Sequence, residues 1–246
     1  AVGSQIFNCY MSLGYAVSSV FLPKISLMYH EKDYQGIDFL FRRVGRLAFY
    51  LLFLVLSGFA IFGREFILLW AGDGYEDAYL IALVIMAPYT IDVMQNTGLT
   101  ILKVMNKYGV RAVLYVVSAI ANIALSIILV QLLGAIGAAI ATGLCVFVVS
   151  GLIMNWYYAK VGLNIKTYWK EMIRLALPLV LLMLVVASVK MVGGLSIRDW
   201  GTLALSIIVY CALFIMVAYF ASMNRYEKEL IRSGVCKVLR VVKRTE

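Results

Sequence analysis

Asp92 stands near the midpoint of an apolar stretch, with Gln95 and Asn96 one turn further on and Lys103 at its end. In a helix, positions 92, 96, 99 and 103 share a face, so a carboxylate, an amide and an ammonium line one polar stripe. A charged Asp at the centre of a membrane span costs about 2.5–3.5 kcal/mol on insertion scales, which predicts that this stripe avoids lipid. Two chemistries fit it. Either the carboxyl is tied to a neighbouring helix by hydrogen bonds, or it lines a cavity where it binds a cation or proton or orients a polar substrate. Pro88, one turn earlier, lacks a backbone donor and is expected to bend the helix or free a carbonyl.

Other apolar stretches carry seams of the same kind. Tyr115, Ser118, Asn122 and Ser126 recur at spacings of three and four, as do Ser4, Asn8, Ser12, Tyr15 and Ser19, and Thr202, Ser206 and Tyr210. Such seams join helices at ~0.6–2 kcal/mol per hydrogen bond. Several in one bundle also imply a shared hydrated cavity, because their polar faces have to meet. Asn8 and Asn122 therefore join Asp92, Gln95 and Asn96 as candidate cavity residues. Catalytic patterns are missing from the sequence. The single His30 sits beside Glu31 without a second His or Cys in ligand spacing, and no phosphate loop or nucleophile elbow is present. The four cysteines have no metal spacing and read as small buried apolar residues. No enzyme, metal or organic cofactor is expected; the only coupling species in view is H⁺ or Na⁺ at Asp92.

Seven long apolar segments have to position these groups: 1–22, 44–62, 79–102, 112–133, 135–159, 173–192 and 202–223. Each is close to the ~20 residues that cross a hydrocarbon core of about 30 Å, and a single segment can cross only as a helix. The expected fold class is all-α, a polytopic transmembrane helix bundle. A 63% hydrophobic content, 14% charged residues and a mean hydropathy of +0.92 exclude an ordinary soluble domain. Of the 22 Lys and Arg residues, 19 fall in alternate connections and the tail, while Arg64, Lys190 and Arg198 lie on the other side. Basic residues stay on the cytoplasmic side, so the first segment runs outside to inside and the C-terminus is cytoplasmic. The net charge of +9 is then met by anionic lipid headgroups and not by nucleic acid.

Punctuation supplies the finer organisation. Pro23 ends the first helix or sits just after it, and residues 25–41 read as an interfacial helix or short connector. Gly134, Gly137 and the small residues after them allow close approach, so the fourth and fifth segments should form a tight antiparallel hairpin. Residues 224–246 read as a basic amphipathic cytoplasmic tail lying on the membrane surface. An odd number of crossings from an outside start is expected to follow an earlier crossing, so upstream helices are anticipated, with a processed mature protein as the alternative.

Three stretches resemble bacterial oligosaccharide flippases, relatives of the multidrug exporters and the lipid II flippase. They are Val20-Phe21-Leu22-Pro23-Lys24-Ile25-Ser26, then Gly63-Arg64-Glu65-Phe66-Ile67-Leu68-Leu69-Trp70-Ala71-Gly72 with Tyr75 and Ala78, and Asn122 and Leu125 with Gly134, Gly137, Ala138 and Ala139. The resemblance covers most of residues 1–223. It implies a transporter of 12–14 helices divided between two lobes in the bacterial cytoplasmic membrane, with this chain as the C-terminal lobe of about seven helices beside a missing N-terminal lobe. Lipid-linked oligosaccharide is the implied cargo, and polysaccharide polymerase and assembly proteins are the implied partners. The first segment carries Gln5 and Asn8 where cavity cations for a pyrophosphate are expected, which places any such clamp in the missing lobe. A cation-coupled exporter of the same superfamily and a non-transporting membrane scaffold are the alternatives.

Overall fold

The computed structural model describes residues 2–19, 21–192, 199–224 and 227–229; for 2–4 and 16–19 only the backbone is described. Every regular element among them is helical. In order they are α1 (Val2–Ser19), α2 (Leu22–His30), α3 (Tyr34–Ala71), α4 (Glu76–Met94), α5 (Asn96–Val104), α6 (Gly109–Val146), a π-helical segment (Phe147–Ile153), α7 (Met154–Val161), α8 (Ile165–Val192), α9 (Trp200–Val217) and a second π-helical segment (Ala218–Ser222). Arg198 and most of the amphipathic tail lie outside the described residues.

Five helical runs are long and apolar enough to cross a membrane: Tyr34–Ala71, Glu76–Val104, Gly109–Val161, Ile165–Val192 and Trp200–Ser222. The seven predicted segments map onto them with two differences. The first segment is helical as α1 but is not among the five, since Gln5, Asn8 and Ser12 dilute its apolar content. The fourth and fifth share the run Gly109–Val161, which turns at Gly134 (φ 62°, ψ −143°), a conformation open to glycine and strained for other residues. Beyond Gly134 the chain folds back: Asn122 reaches Thr142 at 3.3 Å, and a side chain at Gly137 would collide with the Leu129 carbonyl. The expected hairpin is therefore present.

α3 is the central post. Ile37, Phe41, Val44, Ala48 and Leu52 recur at helical spacing and are all 1% exposed or less, so one stripe is buried along the first half of this 38-residue helix. The stretch 25–41, expected as an interfacial helix or short connector, is helical on both sides of a turn, as the body of α2 and the start of α3. Pro23 opens α2, in the first turn where its missing N–H needs no partner. Lys32, in the left-handed region, turns the chain, and the Asp33 side chain caps α3 by accepting from Gly36 N at 2.8 Å. Pro88 lies inside α4, where it leaves the Val84 carbonyl without its helical donor. Gly143 of α6 packs against that carbonyl; a Cβ there would stand 3.1 Å from it and 3.3 Å from the proline ring. At the far end of α3, Lys190 of α8 pairs with Glu65 at 2.7 Å.

Candidate functional site

Helix irregularities gather around Asp92. It follows Pro88 by one turn and precedes the break between α4 and α5 at Gln95. Opposite lies the π-helical segment, where a widened turn presents Ser150. Asp92 is 4% exposed, and Oδ1 accepts from Ser150 Oγ at 2.7 Å, Tyr115 Oη at 2.8 Å and Arg111 Nη2 at 3.1 Å. Arg111 is 7% exposed, and its other terminal nitrogen points at Tyr158 Oη, 3.5 Å away. One buried positive charge thus answers one buried negative charge, with hydroxyls taking up further lone pairs. That is the arrangement a charge needs away from water.

The hairpin assembles this site. Arg111 and Tyr115 come from its first arm, and Ser150 and Tyr158 from the second arm and its continuation. By charge position Arg111 reads as a surface topology marker, whereas the structure buries it inside the bundle. A signal was available. Arg111 and Tyr115 are one turn apart at the head of a span, and Ser150 and Tyr158 are nearly as far from Gly134 on the other side.

Gln95 extends the network. Its Nε2 donates to Asn155 Oδ1 at 3.0 Å, which also accepts from Trp169 Nε1 at 3.2 Å. Asn155 Nδ2 in turn donates to the Gly151 and Ser150 carbonyls within the π segment. Around the α4/α5 break, Gln95 Oε1, Asn96 Oδ1 and Thr97 Oγ1 are buried without a partner among the described residues. Asn122 lies elsewhere, in the hairpin seam with Ser126 and Thr142. Asn8 is exposed on α1 and lines a groove of about 860 Å³ between α1, α3 and α9. Phe59, Phe62, Phe66, Trp70 and Tyr210 give the groove an aromatic wall, and Gln5 joins Asn8 on the polar side. Of the five candidate cavity residues, then, Asp92 and Gln95 share one network, Asn96 sits beside it, and Asn122 and Asn8 are separate.

A second charged cluster was not legible from spacing. Arg46 of α3, 6% exposed, grips Glu227 through Nε at 2.6 Å and Nη2 at 2.9 Å. Arg42, one turn earlier, bonds Asp38 and Glu171 of α8. Asp38 is one turn from Arg42, but Glu171 and Glu227 stand 129 and 181 residues away along the chain from the arginines they meet, beyond any local pattern. Comparison with protein-family models, curated proteins and solved structures gives no match.

Proposed function

We propose that this chain is one lobe of a membrane transporter that turns undecaprenyl-pyrophosphate-linked oligosaccharide from the inner to the outer leaflet for surface polysaccharide synthesis, by alternating access. The groove between α1, α3 and α9 carries the reading. A lipid-linked sugar is amphipathic, and this groove sets aromatic and aliphatic walls for a hydrocarbon chain beside the amides of Gln5 and Asn8, which suit hydroxyls. The segments that resemble flippases fit the same picture: Leu22–His30 opens on Pro23, and the helix through Trp70 stops at Gly72 with φ 82°. In this reading the membrane is the bacterial cytoplasmic membrane, the C-terminus is cytoplasmic, and a second lobe closes the translocation path.

Asp92 has a different part here from the one its sequence position invites. A coupling cation at Asp92 would have to displace Arg111 from a carboxylate already held by two hydroxyls. The network therefore organises the lobe, and the groove meets cargo. Gly58 gives the test. A Cβ at Gly58 makes only ordinary contact with the Tyr210 ring at 3.7 Å, so a larger side chain enters the groove without moving the backbone. Gly58→Trp in the full-length gene should cut surface polysaccharide at least tenfold with the protein still present in the membrane. Normal polysaccharide in cells carrying only this variant would overturn the cargo assignment.

A further inference from the structure

Beyond the groove and the Asp92 network, a charged cavity at α3 is still without a role. Arg42, Arg43 and Arg46 fall within little more than one turn of α3 and border, with Phe39, a cavity of about 150 Å³. At ~30 Å³ for each water in the liquid, that is room for about five waters. Its other wall is Glu171 of α8 together with Asn224 and Glu227, which follow the last helix. The site is built and buried: Arg46 and Glu227 are 6% and 5% exposed, and the Asn224 backbone N–H also donates to Glu227 at 2.9 Å.

Glu227 is held by Arg46 through two parallel N–H···O bonds, the geometry in which guanidinium also grips phosphate. Donors remain beyond those bonds. The nearest carboxylate to Arg46 Nη1 is Glu171 at 3.9 Å, too far for a hydrogen bond, and Arg42 spends only Nε and Nη1 on Asp38 and Glu171. Arg46 depends on Glu227 for its counter-charge, since Glu171, 3.9 Å from Arg46, is already engaged by Arg42 at 2.6 Å. A buried arginine does not stay unpaired, so departure of Glu227 requires another anion.

Position selects which anion. The cavity lies at the end of α3 that carries Arg42, Arg43 and Arg46, where its apolar segment begins, the end that the sidedness of the basic connections puts inside. In a bilayer that is the level of the headgroups, and basic pockets between helix ends take anionic headgroups there. We propose that this cavity binds the phosphate of an anionic membrane lipid, and that Glu227 is the intramolecular anion that occupies Arg46 when the lipid is absent. Lipid binding and undocking of the chain after the last helix are then one event. The proposal rests on the membrane reading with this end inward, and not on the cargo.

The test uses the full chain in phosphatidylcholine nanodiscs with and without phosphatidylglycerol, with native mass spectrometry counting retained lipid. Glu227→Gln removes the tethered competitor and should retain about tenfold more phosphatidylglycerol than the native chain; adding Arg46→Gln should abolish the gain. A spin label at Lys228→Cys, with Glu227 and the arginines intact and the other cysteines replaced, reads the same event without disturbing the site. Phosphatidylglycerol should free the label, whereas phosphatidylcholine and millimolar inorganic phosphate should not. Equal retention by Glu227→Gln and the native chain, a label unmoved by phosphatidylglycerol, or a label freed by inorganic phosphate alone would each overturn the proposal. None of these readouts depends on polysaccharide export, so the cargo assignment stands or falls separately.

Discussion

Asp92 and Arg111 meet 3.1 Å apart between α4 and the first arm of the hairpin, each less than a tenth exposed. Removing one partner leaves the other charge buried and unanswered, at a cost of about 3–5 kcal/mol. Replacing both with apolar groups of similar shape removes the desolvation problem as well as the attraction. Asp92→Leu or Arg111→Met alone should therefore lower the melting temperature of the detergent-solubilised protein strongly, and the double variant should recover most of the loss. Additive losses in that cycle would show that the two charges do not answer each other.

Gly143 and Pro88 should also be coupled. Proline leaves the Val84 carbonyl without its helical donor, and the missing side chain at 143 lets the hairpin come against it. A methyl at 143 has to push against a backbone carbonyl 3.1 Å away, so Gly143→Ala should cost about 1–3 kcal/mol. Pro88→Ala removes the ring 3.3 Å from the same point and restores the helical donor. Thermal unfolding of the pair should show less loss than the two single variants summed, since neighbouring sites are not additive.

How much was legible follows from how local each signal is. The hairpin was readable because its cause, a glycine turn flanked by small residues, lies within a few positions of Gly134. Asp92 was readable as a residue that has to avoid lipid, because an acid in an apolar run needs no partner to be noticed. Its partner was harder to read, since charge position gives a cation at a span end a sufficient role already, and the spacing of Arg111 and Tyr115 against Ser150 and Tyr158 about Gly134 gains meaning only once the hairpin is folded. The Arg46–Glu227 clamp was beyond reach for a different reason: 181 residues separate its members, and only the return of the chain to the charged end of α3 brings them together. Asn8 and Asn122 show the converse error. Both are polar residues on apolar helices, but one faces a groove and the other a helix seam, and periodicity alone cannot separate the two.

Sidedness gives a prediction that does not depend on cargo. With basic connections inside, an impermeant thiol reagent applied to intact cells should label a cysteine placed at Asp73 and leave one at Lys107 unlabelled until the membrane is permeabilised. Asp73 stands in the exposed turn after α3 and Lys107 in the exposed turn before α6, so access to both is set by the membrane and not by burial. Labelling of Lys107→Cys from outside would invert the topology. It would also place the Arg46 cavity on the wrong face for the cytoplasmic leaflet.

Asn122 and Thr142 test the turn at Gly134 most directly. Twenty residues of uninterrupted α-helix would hold these side chains about 30 Å apart at 1.5 Å per residue. The fold-back brings Asn122 Nδ2 to 3.3 Å from Thr142 Oγ1. Asn122→Cys with Thr142→Cys, in a chain whose other cysteines are replaced, should therefore cross-link on mild oxidation in the membrane. Gly134→Ala strains the turn by about 1–3 kcal/mol, because φ of 62° with ψ of −143° suits only glycine, and should lower both thermal stability and cross-linking yield. The same Ala placed at Gly109, where a Cβ meets nothing within 4 Å, should leave both readouts unchanged. A straight 53-residue helix would give no cross-link in any of these chains, and Arg111 and Tyr115 could not then share Asp92 with Ser150.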